Sequence, residues 1–175
     1  MSLLGCITVS LSVATPTALE RQLLGEYEEL DRDLVLSSSV RGSPAPGTLA
    51  DAKARAVRAR ALQRFNADDL AELEQAGCIA ETLRGEVVER DCTFVVDNGD
   101  AARRRRARVV TEENSSRSEI LAWAAFAAAR SAGRASATPE ELEELRHTYA
   151  RLLRDSARPG VLFETERGVF GEASR

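Results

Sequence analysis

The sequence predicts an all-α fold, a small bundle of about five helices with a minor extended or β element near residues 87–96 and 161–170. Three observations predict it. Apolar residues recur at steps of three and four in several stretches, and the best of these open on helix-start signals. Alanine fills many of the positions between them and aromatics make up only 5% of the chain, which favours helices packed closely on small side chains over a β-sandwich. At 175 residues the chain is long enough for one domain with a real core and too short for two of ordinary size. That domain is expected over 17–170, with a tether at 1–16 and a short tail at 171–175.

Residues Ile7 to Pro16 alternate loosely and carry Ser, Thr and Pro, which suits an extended tether or a first strand. In Thr17-Ala18-Leu19-Glu20 the hydroxyl and the carboxylate can reciprocally satisfy free amides at a helix start. Leu19, Leu23, Tyr27, Leu30 and Leu34 then make one apolar stripe. The stretch 37–47, with Ser, Gly, Pro44 and Pro46, reads as a loop. A second helix is expected from Leu49 through Phe65, burying Ala50, Ala54, Val57, Ala61 and Phe65. Asn66 is placed to cap a third from Ala67 to Ala76, and Gly77 stands where a left-handed C-terminal residue belongs.

Val87, Val88, Phe94, Val95 and Val96 make Glu86 to Val96 the best strand candidate. Asp97-Asn98-Gly99-Asp100 suits a hairpin turn, yet Ala and Arg follow it, so it reads as a strand-to-helix turn with Asp100 as cap. A long helix carrying Val109, Val110, Ile120, Leu121, Ala124 and Ala128 should end near Gly133. Thr138-Pro139-Glu140-Glu141 opens the last helix with a cap, a first-turn proline and a capping-box acid. Leu142, Leu145, Tyr149, Leu152 and Leu153 give it an inner face. Pro159-Gly160 stops it, and Val161 to Phe170 should run extended, laying Leu162 or Phe163 and Phe170 onto the bundle.

The net charge of −4 is not the basic field of a nucleic-acid binder, and no nucleic-acid partner is expected. No run of about 18 apolar residues offers a spanning helix. No catalytic motif is present: there is a single histidine, no Gly-x-Ser-x-Gly elbow, no dinucleotide fingerprint and no phosphate loop around Lys53. No cofactor, metal or catalytic residue is therefore assigned. His147 follows Glu143 and Glu144 by one turn, but a metal needs three or four ligands, so it reads as an exposed histidine beside an acid. Arg103, Arg104, Arg105, Arg106 and Arg108 form the one charge run. At about 100° per residue they spread round a helix and make no single anion patch, so a solvated, partly frayed helix start is expected. Asn114-Ser115-Ser116 matches a glycosylation sequon.

Leu3-Leu4-Gly5-Cys6 resembles a bacterial lipobox, in which the thiol is acylated, although a secretory leader needs about 7 to 15 apolar residues ahead of the cleavage site. Three cysteines leave an odd one in an exported chain. If Cys6 takes a lipid, Cys78 and Cys92 remain as a pair, and a bridge between them would be worth about 3 kcal/mol. In an exported chain they are expected within bridging distance; two buried thiols in a reducing compartment are the alternative.

Three further segments stand out: Gly77-Cys78-Ile79-Ala80-Glu81-Thr82-Leu83-Arg84-Gly85, then Glu113-Asn114-Ser115-Ser116-Arg117, then Ala157-Arg158-Pro159-Gly160 with Gly168-Val169-Phe170 behind it. In order and spacing this set resembles the YdbL-like family of small bacterial cell-envelope proteins, whose biochemical function is unknown. The resemblance runs from about Leu62 to Phe170, and its motifs are short. Ala80 stands where the family usually has glycine, and Phe170 where its aromatic is often Trp. The N-terminal extension from Cys6 to Arg60 is closer to lipoprotein relatives than to the short periplasmic members.

The resemblance implies a periplasmic or lipid-anchored helical protein with a link to envelope lipid transport. It also pairs Asn114 and Arg117, one turn apart, with the Gly77 to Gly85 loop. Asn would bond loop backbone and Arg an acid such as Glu81. The leading expectation is a non-enzymatic adaptor or chaperone-like partner of a membrane component, with Val161 to Phe170 offering an edge for pairing. The alternatives are a small hydrolase or ligand-binding enzyme using Glu81, Arg117 and His147, and nucleic-acid or anionic-lipid binding through Arg103 to Arg108.

Overall fold

The computed structural model describes residues 16–37 and 48–172. Cys6 and its lipobox-like surroundings, most of the expected tether, and the loop over 38–47 lie outside the described residues. Five helices are described: α1 (Ala18–Ser37), α2 (Leu49–Phe65), α3 (Ala67–Gln75), α4 (Thr93–Ser131) and α5 (Pro139–Asp155). Four short strands join them: β1 (Ile79–Glu81), β2 (Val87–Glu89), β3 (Leu162–Glu166) and β4 (Val169–Glu172).

Helix starts follow their local chemistry. The Thr17 hydroxyl accepts from the Glu20 amide and the Glu20 carboxylate accepts from the Thr17 amide at 2.6 Å, closing the expected box. Thr138 and Glu141 do the same for α5 behind Pro139. At the end of α3 the Cys78 amide reaches back to Leu73 O and the Gly77 amide to Glu74 O, a Schellman closure that requires the left-handed φ of +66° at Gly77.

Helix α4 is the spine, packed against α2, α3, α5 and β2. Its inner residues feed three apolar clusters. Val109 and Val110 meet Leu73, Ile79 and Val87 at the sheet end. Ile120 and Trp123 meet Leu30, Ala56 and Ala59. Leu121 and Ala124 meet Leu23, Leu145 and Tyr149. Leu23, Leu30 and Leu73 are fully buried, each worth about 1.5–3 kcal/mol over an exposed position.

The strands assemble in the order β2-β1-β3-β4. β1 and β2 form an antiparallel hairpin, Ile79 opposite Glu89 and Glu81 opposite Val87. β3 joins β1 in parallel at Glu81 opposite Phe163, after a crossover through α4 and α5. β4 returns antiparallel on β3.

Several expectations need correction. The β component is a four-stranded sheet and more than a minor element, and its last strand takes in Gly171 and Glu172, which the sequence suggests are tail. The strand expected through Val96 stops at Glu89. β1 begins just after the Gly77 turn, so chain beyond Arg90, whose amide still reaches Cys78 O, has no strand to pair with and turns helical at Thr93. Helix appears ahead of the expected turn as well as behind it: a short helical segment runs from Thr93, the chain breaks at Gly99, where φ is +68°, and the long helical run opens at Asp100 as the sequence suggests. On α2 the buried face is Ala56, Ala59 and Gln63, while Phe65 is 77% exposed. Polar pairs set that rotation: Arg60 clasps Asp31 on α1 through two bonds, and Gln63 reaches Glu113 on α4 at 2.9 Å. Asn66 gives α3 no side-chain cap: its backbone is helical, with φ −88° and ψ 0°, and its side chain is turned to α4, where Nδ2 donates to Glu112 at 2.8 Å while Oδ1 accepts no bond.

Candidate functional site

The polar centre of the molecule is built from the loop between β1 and β2. Thr82 organises that loop, its carbonyl accepting from Gly85 N–H at 3.1 Å and its hydroxyl from Glu86 N–H at 3.0 Å. Gly85 is left-handed, with φ +73°, and a Cβ there would stand 2.8 Å from the Tyr149 ring. Only glycine lets the loop lie flat on α5. On α4, Asn114 accepts from the Val87 amide and donates to the Val87 carbonyl, both at 2.8 Å. Both amide atoms of the sequon asparagine are thereby occupied.

Arg117, one turn further along α4, is 4% exposed and bonds on every side. Its Nη1 and Nη2 donate to the two oxygens of Glu81 at 2.5 and 2.8 Å. Nη1 also donates to Gly85 O at 2.9 Å, and Nε to Glu113 at 2.6 Å. The guanidinium stands 5.5 Å from the Tyr149 ring, which stacks on Tyr27 at 6.0 Å, and Arg60 stands over the Tyr27 ring at 5.0 Å. Burial opposes charge on Arg117, but Tyr149, Glu81 and Glu113 outweigh it and hold its pKa well above the usual value. The fork geometry suits arginine alone; lysine could not make the paired bonds.

Three carboxylates surround this one guanidinium. Glu81 and Glu113 are bonded to it, and Glu74, in the last turn of α3, is not. Burial, then the neighbouring Glu81, pushes the Glu74 carboxyl up to about 7 from its ordinary 4.5, with Arg117 and Arg158 only partly offsetting them. Glu74 and Glu81 line a cavity of about 140 Å³ with Arg158 and the apolar Leu153, Val161 and Phe163.

The C-terminal residues singled out in the sequence sit at two turns of this region. Pro159 and Gly160 carry the chain from α5 into β3, and Gly168 makes the tight turn between β3 and β4. Glu164 accepts from Gly168 N–H at 2.8 Å and from Leu83 N–H at 3.1 Å, tying that turn to the loop of Glu81. These two backbone bonds lower its pKa. Cys78 and Cys92 form a disulfide, their Cα atoms 5.0 Å apart, across the open end of the β1–β2 hairpin.

His147 is exposed on α5, its Nδ1 3.1 Å from Leu83 O. It lies in an open groove of about 770 Å³ with Thr17, Glu143, Glu144 and Arg151, apart from the cavity of Glu81, while Arg117 lines neither. The structure does not bring His147, Glu81 and Arg117 into one cleft. The arginine run is less solvated than the sequence suggests. Arg105 pairs with Asp69 and Glu72 on α3, Arg106 with Glu89 and the Arg90 carbonyl, Arg108 with Asp69 and Arg103 with Asp100. Arg104 stays exposed. Among the described residues no group of three or more His, Cys, Asp or Glu could hold a metal ion, and no helix is long and apolar enough to cross a membrane.

Sequence reasoning missed Gln63, Glu113 and Glu74 as members of the centre. Glu113 had a signal, its i,i+4 spacing to Arg117. Gln63 and Glu74 had none, since a polar residue on a helix ordinarily reads as surface. No protein-family model, curated protein or solved structure matches the chain.

Proposed function

We propose that this chain is a non-enzymatic protein of the bacterial cell envelope, periplasmic or lipid-anchored through Cys6, that serves a membrane component as adaptor or chaperone-like partner. The observation that carries the reading is the Cys78–Cys92 disulfide, because such bonds persist in oxidising compartments and are rare in reducing ones. The motif order that resembles the YdbL-like family supports the same compartment, and the link to lipid transport comes from that resemblance.

The non-catalytic part rests on how the polar groups are spent. Arg117 and Glu81 are bonded to each other below the surface, and His147 stands apart from them, which disfavours a hydrolase built from the three. Arginines held by acids on α3 and β2 likewise disfavour an anion-binding role for the run. Strand β4 is an edge of the sheet with Val169 half exposed, a place where an extended partner segment can add a strand.

The test is fractionation of a bacterial cell expressing the chain from its own gene, combined with thiol labelling before and after reduction. The expected result is recovery in the envelope fraction, with Cys78 and Cys92 labelled only after reduction. Recovery in the cytoplasm with both thiols labelled directly would overturn the reading.

A further inference from the structure

The turn from α5 into β3 contains Ala157-Arg158-Pro159-Gly160, one of the segments singled out in the sequence, and nothing in the proposed function uses it. Its Arg158 lines the small cavity that Glu74 and Glu81 share. Among the described residues neither the Glu74 carboxylate nor the Arg158 guanidinium makes a hydrogen bond or ion pair.

The charges facing Glu74 come from each side of the cavity. Glu81 on β1 and Glu113 on α4 repel its ionised form, while Arg117 on α4 and Arg158 on the turn attract it. Arg117 already gives its bonds to Glu81, Glu113 and Gly85. The other lining groups, Leu153, Ser156, Ala157, Val161 and Phe163, carry no charge. Glu74 also sits in the last turn of α3, where the helix end disfavours a negative charge. An ionised Glu74 therefore has one cation left to recruit, and that cation is exposed and unpaired.

We propose that Glu74 and Arg158 form a proton-operated latch on the turn: protonated Glu74 leaves Arg158 in solvent, and ionised Glu74 draws the guanidinium into the cavity and fastens the turn. The position of Glu74 near neutrality places the change between about pH 6 and 8. Glu74 binds its proton more tightly folded, at about 7, than unfolded, near 4.5, so its contribution favours folding at low pH. That contribution is lost as pH rises from 4.5 through 7, and the latch limits the loss.

The test follows the Glu74 side-chain carboxyl by carbon NMR in the intact chain, with amide exchange over 156–161 corrected for intrinsic rates. Wild type is expected to titrate near 7 and to gain protection over 156–161 between pH 6 and 8. Arg158→Gln, an exposed substitution, should raise the Glu74 midpoint by about half a pH unit or more. Glu74→Gln should remove the pH dependence of the protection. A wild-type midpoint near 4.5, a midpoint unmoved by Arg158→Gln, or protection that still responds to pH in Glu74→Gln would each overturn the latch.

Discussion

Removing Arg117 would strand two buried carboxylates, Glu81 and Glu113, and unfasten the Gly85 carbonyl. Breaking a buried pair from one side costs about 3–5 kcal/mol, enough to lower the melting temperature of a chain this size by about 10 °C. Arg117→Ala is therefore expected to melt about 10 °C below wild type in calorimetry, and Arg104→Ala, which removes an exposed side chain, within about 2 °C of it. Comparable small shifts in both would mean that the network contributes little. Gly85→Ala should cost more than Gly133→Ala, since both glycines have positive φ but only the first would drive a methyl into Tyr149. Equal denaturant midpoints for the two would contradict the close approach. Much of this centre was legible, because Asn114 and Arg117 one turn apart can face the same neighbour, and the resemblance named the loop. What the spacing could not show is that Gln63, from α2, completes it.

Among the elements, the helices were legible because their stripes and caps are local, as at Thr17 and Thr138. The strands were legible only in part: Val87-Val88 and the stretch from Val161 to Phe170 were expected to be extended, but β1 and the pairing were not. β1 is three residues of a loop-like motif, and in its partner β3 the paired Phe163 lies 82 residues beyond Glu81, by a parallel crossover that no local pattern announces. Val95 and Val96 have strand propensity, yet they are helical because nothing remained to pair with them. The disulfide staples the β1–β2 hairpin to the start of α4, closing a loop worth about 3 kcal/mol. Replacing both Cys78 and Cys92 by Ala should lower the urea midpoint of unfolding measured by far-ultraviolet circular dichroism. The same midpoint for the variant and the oxidised wild type would show that the bridge adds nothing.

At the scale of the whole molecule, acids and arginines are interleaved so that most of the basic run is answered by α3 and β2. Retention on heparin at low salt is therefore expected to be absent, and a steeply salt-dependent affinity would reinstate the anion-binding reading. The mostly helical class could be read from the sequence, since it depends on composition and period. The sheet could not, because it is assembled from segments at opposite ends of α4 and α5. The lone tryptophan has its own consequence. Trp123 donates to Glu26 at 2.9 Å, lies under Lys53 and packs with Leu30 and Ala59, far along α4 from the disulfide. Intrinsic fluorescence of this protein is thus a one-ended signal, reporting the junction of α1, α2 and α4 and blind to the sheet. If the two ends open separately, emission and backbone ellipticity will fall at different denaturant concentrations, and the lag between them will measure how firmly α4 couples one end to the other.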